Sequence, residues 1–273
     1  MRVAFVTYLE RLVLGLTQNR LAVNKVTFIG LLQALVDSIK LFSKELLLLI
    51  KISQRFIILF STILFIQSLM LWDSLSCYNS SWRSSNLVTV LFIFSLNTIA
   101  LLGVAWASSS KYSFLGCIRI CLLTLCYEIC LSLVLYTTQI STGVIFSCEE
   151  LRFSIIVILP LWIICSIREL SRAPIDFREA ESELVSGFNT ETSSISFILL
   201  FLREYSSLLF ISFFTSILFL VDSFSITIIV IWVILLFRAT YVRVKVDVLI
   251  RVLWLKCTQI RIVLLLLFLV FSC

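Results

Sequence analysis

The segment IRELSRAPIDFREAESELVSGFNTE, residues 167–191, is the most strongly charged stretch of a chain in which only 14% of the residues are charged. Nine of its side chains carry charge, namely Arg168, Glu169, Arg172, Asp176, Arg178, Glu179, Glu181, Glu183 and Glu191. Apolar sequence precedes and follows it. We therefore expect an acidic loop over 167–191 that separates two apolar helices.

Local signals within this acidic loop predict one short helix. Pro174 ends any helix that arrives from the preceding apolar run. Asp176 and Glu179 have the spacing of a capping box, in which side chains accept hydrogen bonds from first-turn amides. The helix is expected to run over about 177–186 and to end at Gly187.

Two carboxyl groups share one face of that predicted helix. Glu179 and Glu183 are four residues apart, whereas Glu181 points elsewhere. Carboxylates at this spacing repel each other, so in a site shielded from water at least one of them is expected to hold a proton. The pattern favours a proton acceptor or relay, and a solvated acidic loop is the alternative.

Composition assigns the chain to the membrane proteins. Its 273 residues are 60% hydrophobic, with a mean hydropathy of +1.11, whereas the apolar share of soluble domains is just under half. The formal charge is +6, but no basic cluster with interleaved aromatic residues accompanies it, so we expect no nucleic-acid binding. The fold class is therefore an all-α, polytopic integral membrane protein.

Histidine is absent, which excludes imidazole-based general base catalysis and imidazole metal or haem ligation. Nine cysteines are present, and four of them, Cys117, Cys121, Cys126 and Cys130, fall in one apolar run without forming C-x-x-C. We interpret them as small apolar helix residues rather than as metal or iron–sulfur ligands. The sequence also shows no secretory signal.

Seven apolar runs are plausible membrane spans. They are approximately Phe56–Trp72, Leu87–Ala107, Leu115–Tyr136, Phe153–Ile167, Ile195–Val221, Ser225–Phe237 and Leu249–Phe271. A shorter N-terminal helical segment, interrupted by Glu10 and Arg11, brings the number of helical segments to eight. We expect one transmembrane domain over residues 1–273.

An amphipathic surface helix is predicted over residues 30–45. At helical spacing, one face carries the apolar residues Leu31, Leu35, Ile39 and Phe42. The other face carries the polar residues Gln33, Asp37, Lys40 and Lys44. It is too short and too charged to span, so it should lie at the membrane surface. The basic residues concentrate in alternate loops, and the positive-inside rule places the acidic loop on the matrix-like side.

Several charged residues fall inside predicted spans, among them Glu128, Arg119, Arg203 and Glu204. Glu128 lies near the middle of its span, where a charge costs several kcal/mol, so we expect it to be protonated, paired or beside a water-filled cavity. Arg119 precedes it by nine residues and lies on nearly the opposite helix face. Arg203 and Glu204 are adjacent, and the sequence leaves open whether they form interhelical ion pairs or act in function.

The sequence of the acidic loop closely resembles that of chain 1 of the proton-pumping NADH:ubiquinone oxidoreductase, respiratory complex I. The shared pattern is R-A-P-x-D-x-x-E-x-E-S-E-L-V-S-G-F-N-x-E. Further similarities occur in the same order along the chain, from about Val3 to Trp254. They include the pair Glu10–Arg11, the motif WASSSKYSFLGCIR, Tyr127–Glu128, Glu204–Tyr205 and the basic stretch from Arg238 to Asp247. The first helix of this family begins earlier, so this chain resembles a member with a shortened first helix.

The resemblance implies a membrane-arm subunit that forms much of the ubiquinone access tunnel and the start of the proton-coupling path. Quinone would enter between the first helix, the amphipathic helix and the sixth and seventh helical segments. The implied proton-coupling carboxylates are Glu128, Glu169, Glu179, Glu181 and Glu183. The implied tunnel residues are Glu10, Arg11, Arg20, Asp37, Lys40, Arg172, Asp176, Glu191, Glu204 and Arg243.

The resemblance also implies the surroundings of the chain. Ubiquinone would be the substrate, without any metal, haem, flavin or iron–sulfur cluster in this chain. Partners would be the peripheral-arm subunits of the quinone site, small membrane-arm subunits and lipid, in the mitochondrial inner membrane rather than a bacterial plasma membrane. The residues leave two alternatives: a stand-alone proton-coupled transporter, or a purely structural subunit, since Ala22–Val23 replace the family's usual Gly-Pro.

Overall fold

The computed structural model describes residues 2–23, 30–44, 51–76, 85–108, 110–144, 148–170, 194–219 and 224–241, with shorter pieces at 172, 175, 192, 244, 248, 251, 258–259 and 262–263. Eight helices lie within these residues. They are α1 (Arg2–Thr17), α2 (Gln33–Ser43), α3 (Lys51–Ser76), α4 (Ser85–Ser108), α5 (Lys111–Val144), α6 (Cys148–Glu169), α7 (Ser194–Phe219) and α8 (Phe224–Thr240). The prediction of an all-α polytopic membrane protein is confirmed.

Four helices in the described part of the chain are long and apolar enough to cross a bilayer. The corresponding segments are Arg55–Leu75, Leu87–Ser108, Lys111–Thr138 and Ser194–Phe219, and α8 supplies a shorter apolar helix over Ser225–Thr240. Helix α6 has 22 residues and contains Pro160. The predicted loop helix over 177–186 lies outside the described residues, as does nearly all of the predicted last span.

Aromatic side chains of α7 connect the helices of the core. Phe210 meets Trp72 of α3 and Phe94 of α4 with ring centroids 6.2 Å apart in both cases. Phe210 also stacks on Phe214, one turn further along α7. The ring of Phe214 in turn lies 5.7 Å from that of Trp162 in α6. Edge-to-face and offset arrangements of this kind are favoured by the ring quadrupoles. Helix α7 therefore contacts α3, α4 and α6 through its aromatic side chains, and it also packs against α1, α2 and α8.

Two cysteines of α5 lie against α4. Cys117 and Cys121 are buried, and their thiols point at the carbonyl oxygens of Leu101 and Thr98, at 3.5 and 3.8 Å. On the α3 side, α4 contributes Gly103, whose missing side chain leaves room for the ring of Phe60. Small residues on both faces of α4 thus permit close helix approach.

Helices α1 and α2 pack against each other and against α7, and α1 also packs against α8. Helix α2 buries none of its side chains, and Ile39 and Phe42 on its outer face are largely exposed. Gly30 precedes the helix with a φ of +74°, and a Cβ atom there would collide with the carbonyl oxygen of Val23. Glycine is thus required for the turn that places α2 beside α1.

Candidate functional site

A cavity of about 540 Å³ lies between α1, α2 and α7, and Arg238 of α8 reaches its wall. Its lining residues are Val3, Ala4, Thr7, Glu10, Arg11, Leu14, Ala34, Asp37, Ser38, Lys40, Leu41, Lys44, Phe197, Ile198, Phe201, Leu202, Tyr205 and Arg238. Apolar side chains cover most of the wall. The charged side chains lie around Glu10 and along the edge next to α2. Such a cavity suits a molecule with an apolar body and a polar end.

The carboxylate of Glu10 is the centre of the polar part of the wall. Its Oε2 atom accepts hydrogen bonds from Nη1 of Arg172 and from the hydroxyl group of Tyr205, both at 2.8 Å. Its Oε1 atom pairs with Nη1 of Arg238. We call Glu10, Arg172, Tyr205 and Arg238 the Glu10 cluster. The cluster connects α1, α7 and α8 with Arg172, which follows α6.

Helical periodicity explains why Glu10 is buried in a short N-terminal helix. Val6, Glu10 and Val13 are spaced four and three residues apart, so they share one face of α1, and all three are buried. The two valines pack into the main core, which carries the carboxylate between them inward. A buried charge requires partners, and the two arginines and the tyrosine supply them.

Arg172 is held in place by a second interaction. Its guanidinium carbon lies 4.1 Å from the centroid of the Tyr205 ring, within the range of a cation–π contact. The same tyrosine therefore presents its ring face to the arginine and its hydroxyl group to Glu10. This geometry fixes both ends of the Glu10–Arg172 ion pair.

A second ion pair lies at the exposed edge of the cavity. Nη1 of Arg11 is 2.6 Å from Oδ2 of Asp37, and Oδ1 of Asp37 accepts a hydrogen bond from Nε2 of Gln33 at 2.8 Å. The pair connects α1 to α2. Lys40 of α2 and Lys44, the residue directly after that helix, also line the cavity, so the rim carries more cationic than anionic groups.

A pair of carboxyl groups lies apart from the cavity, at α5 and α6. Glu128 is half-buried, and its Oε1 atom has no hydrogen-bond partner among the described residues. Glu169, the last residue of α6, is near enough to repel it electrostatically. Two carboxyl groups that interact in this way repel each other when both are ionised.

The predicted site residues divide into three groups by their positions. Glu10, Arg11, Asp37 and Lys40 line the cavity, and Arg172 reaches it through its bond to Glu10. Glu204 precedes Tyr205 in α7 but is not among the residues that line the cavity. Glu128 and Glu169 form the separate carboxyl pair, and Arg20 is exposed beyond the end of α1. The remaining predicted residues lie outside the described part: Asp176, Glu179, Glu181, Glu183, Glu191 and Arg243.

Two members of the Glu10 cluster are absent from the predicted site residues. Tyr205 is 195 positions from Glu10 in the sequence, and Arg238 lies in the last turn of a different helix. Local periodicity predicts that a residue is buried but not which distant residue it meets. The only sequence signal was the position of each residue within a stretch that resembles the family.

Comparisons with known proteins agree with the resemblance. The sequence profile of a family described as NADH dehydrogenase matches residues 1–269. The chain is 39% identical to NADH-ubiquinone oxidoreductase chain 1 of Aedes aegypti and 35% identical to the protein of that name from Strongylocentrotus purpuratus, over 92% of this chain and 85% of each relative. It is 37% identical to a subunit of the NADH-quinone oxidoreductase of Rickettsia rickettsii (strain Iowa), over 78% of this chain and 67% of the relative.

The profile spans nearly the whole chain, and the relatives align with it over most of their length. The family predicted from the acidic loop and the accompanying motifs is confirmed. The chain belongs to the NADH dehydrogenase family that includes NADH-ubiquinone oxidoreductase chain 1.

Proposed function

We propose that this chain is a membrane subunit of a proton-translocating NADH:quinone oxidoreductase in the mitochondrial inner membrane, and that the cavity between α1, α2 and α7 is part of its ubiquinone access tunnel. The observation that carries the proposal is an apolar cavity of about 540 Å³ bounded by the Glu10 cluster. The names of the relatives supply the enzyme and its substrate.

The chemistry of the cavity supports ubiquinone as its occupant. A quinone has a long apolar tail and a ring with two carbonyl oxygens, which accept hydrogen bonds. Phe197, Phe201 and Leu202 offer apolar contact to such a molecule, whereas Tyr205 and Arg238 carry donors. The exposed apolar side chains of α2, Ile39 and Phe42, suit contact with lipid and support an entrance at the level of the bilayer surface.

The part of this chain in the reaction is positional and electrostatic. Electrons reach the quinone from redox centres in the peripheral-arm subunits, which together with small membrane-arm subunits and lipid are the proposed partners. The carboxyl groups of Glu128 and Glu169, with Glu179, Glu181 and Glu183 of the acidic loop, start the proton-coupling path. They change protonation or pairing when the quinone is reduced.

Narrowing the cavity tests the tunnel. Ala34 lines the cavity, whereas Val36, two residues along α2, points outward and is exposed. We expect Ala34→Phe to lower inhibitor-sensitive NADH:quinone activity and raise the apparent KM for quinone. The matched variant Val36→Phe adds a ring to the same helix and should leave both unchanged. NADH oxidation by a hydrophilic artificial acceptor should be equal in the two variants. Equal quinone kinetics in the two variants would refute the tunnel assignment.

Removing the charge of Glu128 tests the proton path. Glu128→Gln keeps the size of the side chain and removes its exchangeable proton. We expect the complex to assemble, as judged by native-gel separation, while quinone-linked turnover and proton pumping fall. Full pumping in this variant would exclude Glu128 from the path.

A further inference from the structure

Two amide side chains are buried within the apolar helices α3 and α4. Gln67 of α3 is 8% exposed and Asn97 of α4 is 5% exposed. The side-chain oxygen atom of each is buried and has no hydrogen-bond partner among the described residues. A buried acceptor without a donor is costly, and the hydrocarbon around membrane-spanning helices supplies no donor. Each oxygen atom therefore requires a donor inside the helix bundle.

Helical spacing places both amides on inward faces. Gln67 follows Leu64 by three residues and precedes Leu71 by four, and both leucines are almost fully buried. Asn97 precedes Leu101, which is also buried, by four residues. Residues three or four apart share one face of a helix. The two amides therefore belong to the faces with which α3 and α4 pack into the core.

A contact between α3 and α4 fixes the relative level of the two amides. Phe60 of α3 meets Gly103 of α4, where an added Cβ atom would lie 2.5 Å from the ring. Gln67 is seven residues from Phe60, and Asn97 is six residues from Gly103. At a rise of about 1.5 Å per residue, these separations differ by only about 1.5 Å along the helix axes. The two amides thus lie at nearly the same depth in the bundle.

Aromatic contacts with α7 bound this level on the other side. Trp72 lies five residues after Gln67 in α3, and Phe94 lies three residues before Asn97 in α4. The rings of Trp72 and Phe94 are both 6.2 Å from that of Phe210 in α7. The two helices therefore run in opposite directions, and both amides lie between the Phe60 contact and the Phe210 contacts.

Helix α7 contributes a buried charged residue to the same level. Arg203 is 5% exposed. Leu200, three residues before it, shares a buried cluster with Leu64 and Leu101. Phe210 follows it by seven residues. A guanidinium group remains charged, and charged groups inside a membrane bundle lie beside partners or water. Three helices thus place a polar residue at this level.

We propose that Gln67 and Asn97 bind water in a buried hydration site between α3, α4 and α7. A water molecule carries two O–H donors, and the two amides present two oxygen atoms that require one each. Buried water makes about three hydrogen bonds, and the N–H groups of the amides and of Arg203 are donors at the same level. None of these three residues lines the cavity, so the site is separate from the proposed quinone tunnel and does not depend on it.

A cryo-EM map of the unmodified complex, at a resolution that shows ordered water, tests the site without any substitution. We expect water within hydrogen-bond distance of both side-chain amides. A map with no such water would overturn the proposal. So would a map in which the two amides bond directly to each other or to Arg203 and leave no room for water.

Variants test whether the two amides act together in the assembled complex. Gln67→Leu and Asn97→Leu each leave the other amide in an incomplete site, so each should shorten the half-life of inhibitor-sensitive activity at raised temperature by about tenfold. The double variant leaves neither oxygen atom and should lose no more than the worse single variant. Thr62→Val is the control on α3, because it removes an exposed hydroxyl group that bonds to its own helix, and it should match the unmodified complex. Losses that multiply in the double variant, or unchanged half-lives in both single variants, would overturn the shared site.

Discussion

Replacing Glu10 by glutamine is expected to loosen α1 far more than any change at the exposed rim of the cavity. The Glu10 side chain is 4% exposed and that of Arg172 is 10% exposed. Breaking a buried ion pair by removing one partner costs about 3–5 kcal/mol, since the other charge is left uncompensated. Arg238 is 35% exposed and therefore adds less, because solvent screens its charge. We expect a total of about 3–5 kcal/mol, rather than the sum of three separate terms.

The rim offers a matched comparison on the same two helices. Asp37→Asn removes the charge that pairs with Arg11, but these side chains are 31% and 51% exposed. Exposed pairs contribute about 0.2–1 kcal/mol. Both variants replace a carboxylate by the corresponding amide on the cavity wall. They differ chiefly in burial.

Hydrogen–deuterium exchange of α1 peptides in the assembled complex measures the difference directly. Each 1.4 kcal/mol changes an opening equilibrium by about tenfold, so Glu10→Gln should speed exchange along α1 by about a hundredfold or more, and Asp37→Asn by less than about tenfold. Quinone activity should fall in parallel in the Glu10 variant, because α1 forms one wall of the cavity. Equal acceleration in the two variants would show that burial does not decide the strength of these pairs.

Two glycine substitutions test the packing that positions the site. Gly30→Ala should lower the amount of active complex, because the new Cβ atom meets the backbone carbonyl oxygen of Val23 and the positive φ is strained. The amount of assembled complex is measured on native gels. Wild-type amounts would contradict the prediction. Gly103→Ala places a Cβ atom 2.5 Å from the ring of Phe60. This overpacking should cost about 1–3 kcal/mol of stability and therefore lower the temperature of half-inactivation. Adding Phe60→Leu should restore part of that loss, and a failure to do so would place the strain elsewhere.

The sequence predicted best those features that depend on one segment alone, such as a helix within an apolar run. Runs of apolar residues predicted Phe56–Trp72 and Leu87–Ala107, and the helices α3 and α4 contain both. Predicted ends were less accurate, since Leu115–Tyr136 proved to be the apolar centre of a helix from Lys111 to Val144. Hydropathy detects the part of a helix that suits the bilayer, whereas hydrogen bonding continues the helix into polar sequence on either side.

The candidate site was only partly predictable for a related reason. Asp37 and Lys40 were predicted to share the polar face of an amphipathic helix, because spacing alone defines a face, and both line the cavity. That this face meets the cavity, and that Tyr205 and Arg238 converge on Glu10, depends on how separate helices pack. Such pairings between distant parts of the chain leave no periodic signal in any one segment. The resemblance to the family identified Glu10 and Arg172 as site residues but did not state that they touch.

Glu10 and Glu128 have different surroundings, and this difference indicates different roles for the two carboxyl groups. Glu10 accepts hydrogen bonds from Arg172 and Tyr205 and pairs with Arg238, and so many donors stabilise a carboxylate in its ionised form. Such a group holds helices in place and defines the shape of the cavity, but it is a poor carrier of protons. Glu128 has an oxygen atom without a partner among the described residues and a second carboxyl group within electrostatic reach. A small change of charge nearby can therefore alter its protonation, as a coupling path requires. Under the proposed function, quinone position and proton transfer are served by separate carboxylates, so substitutions at Glu10 and Glu128 should fail in different ways, the first through loss of α1 packing and the second with packing intact.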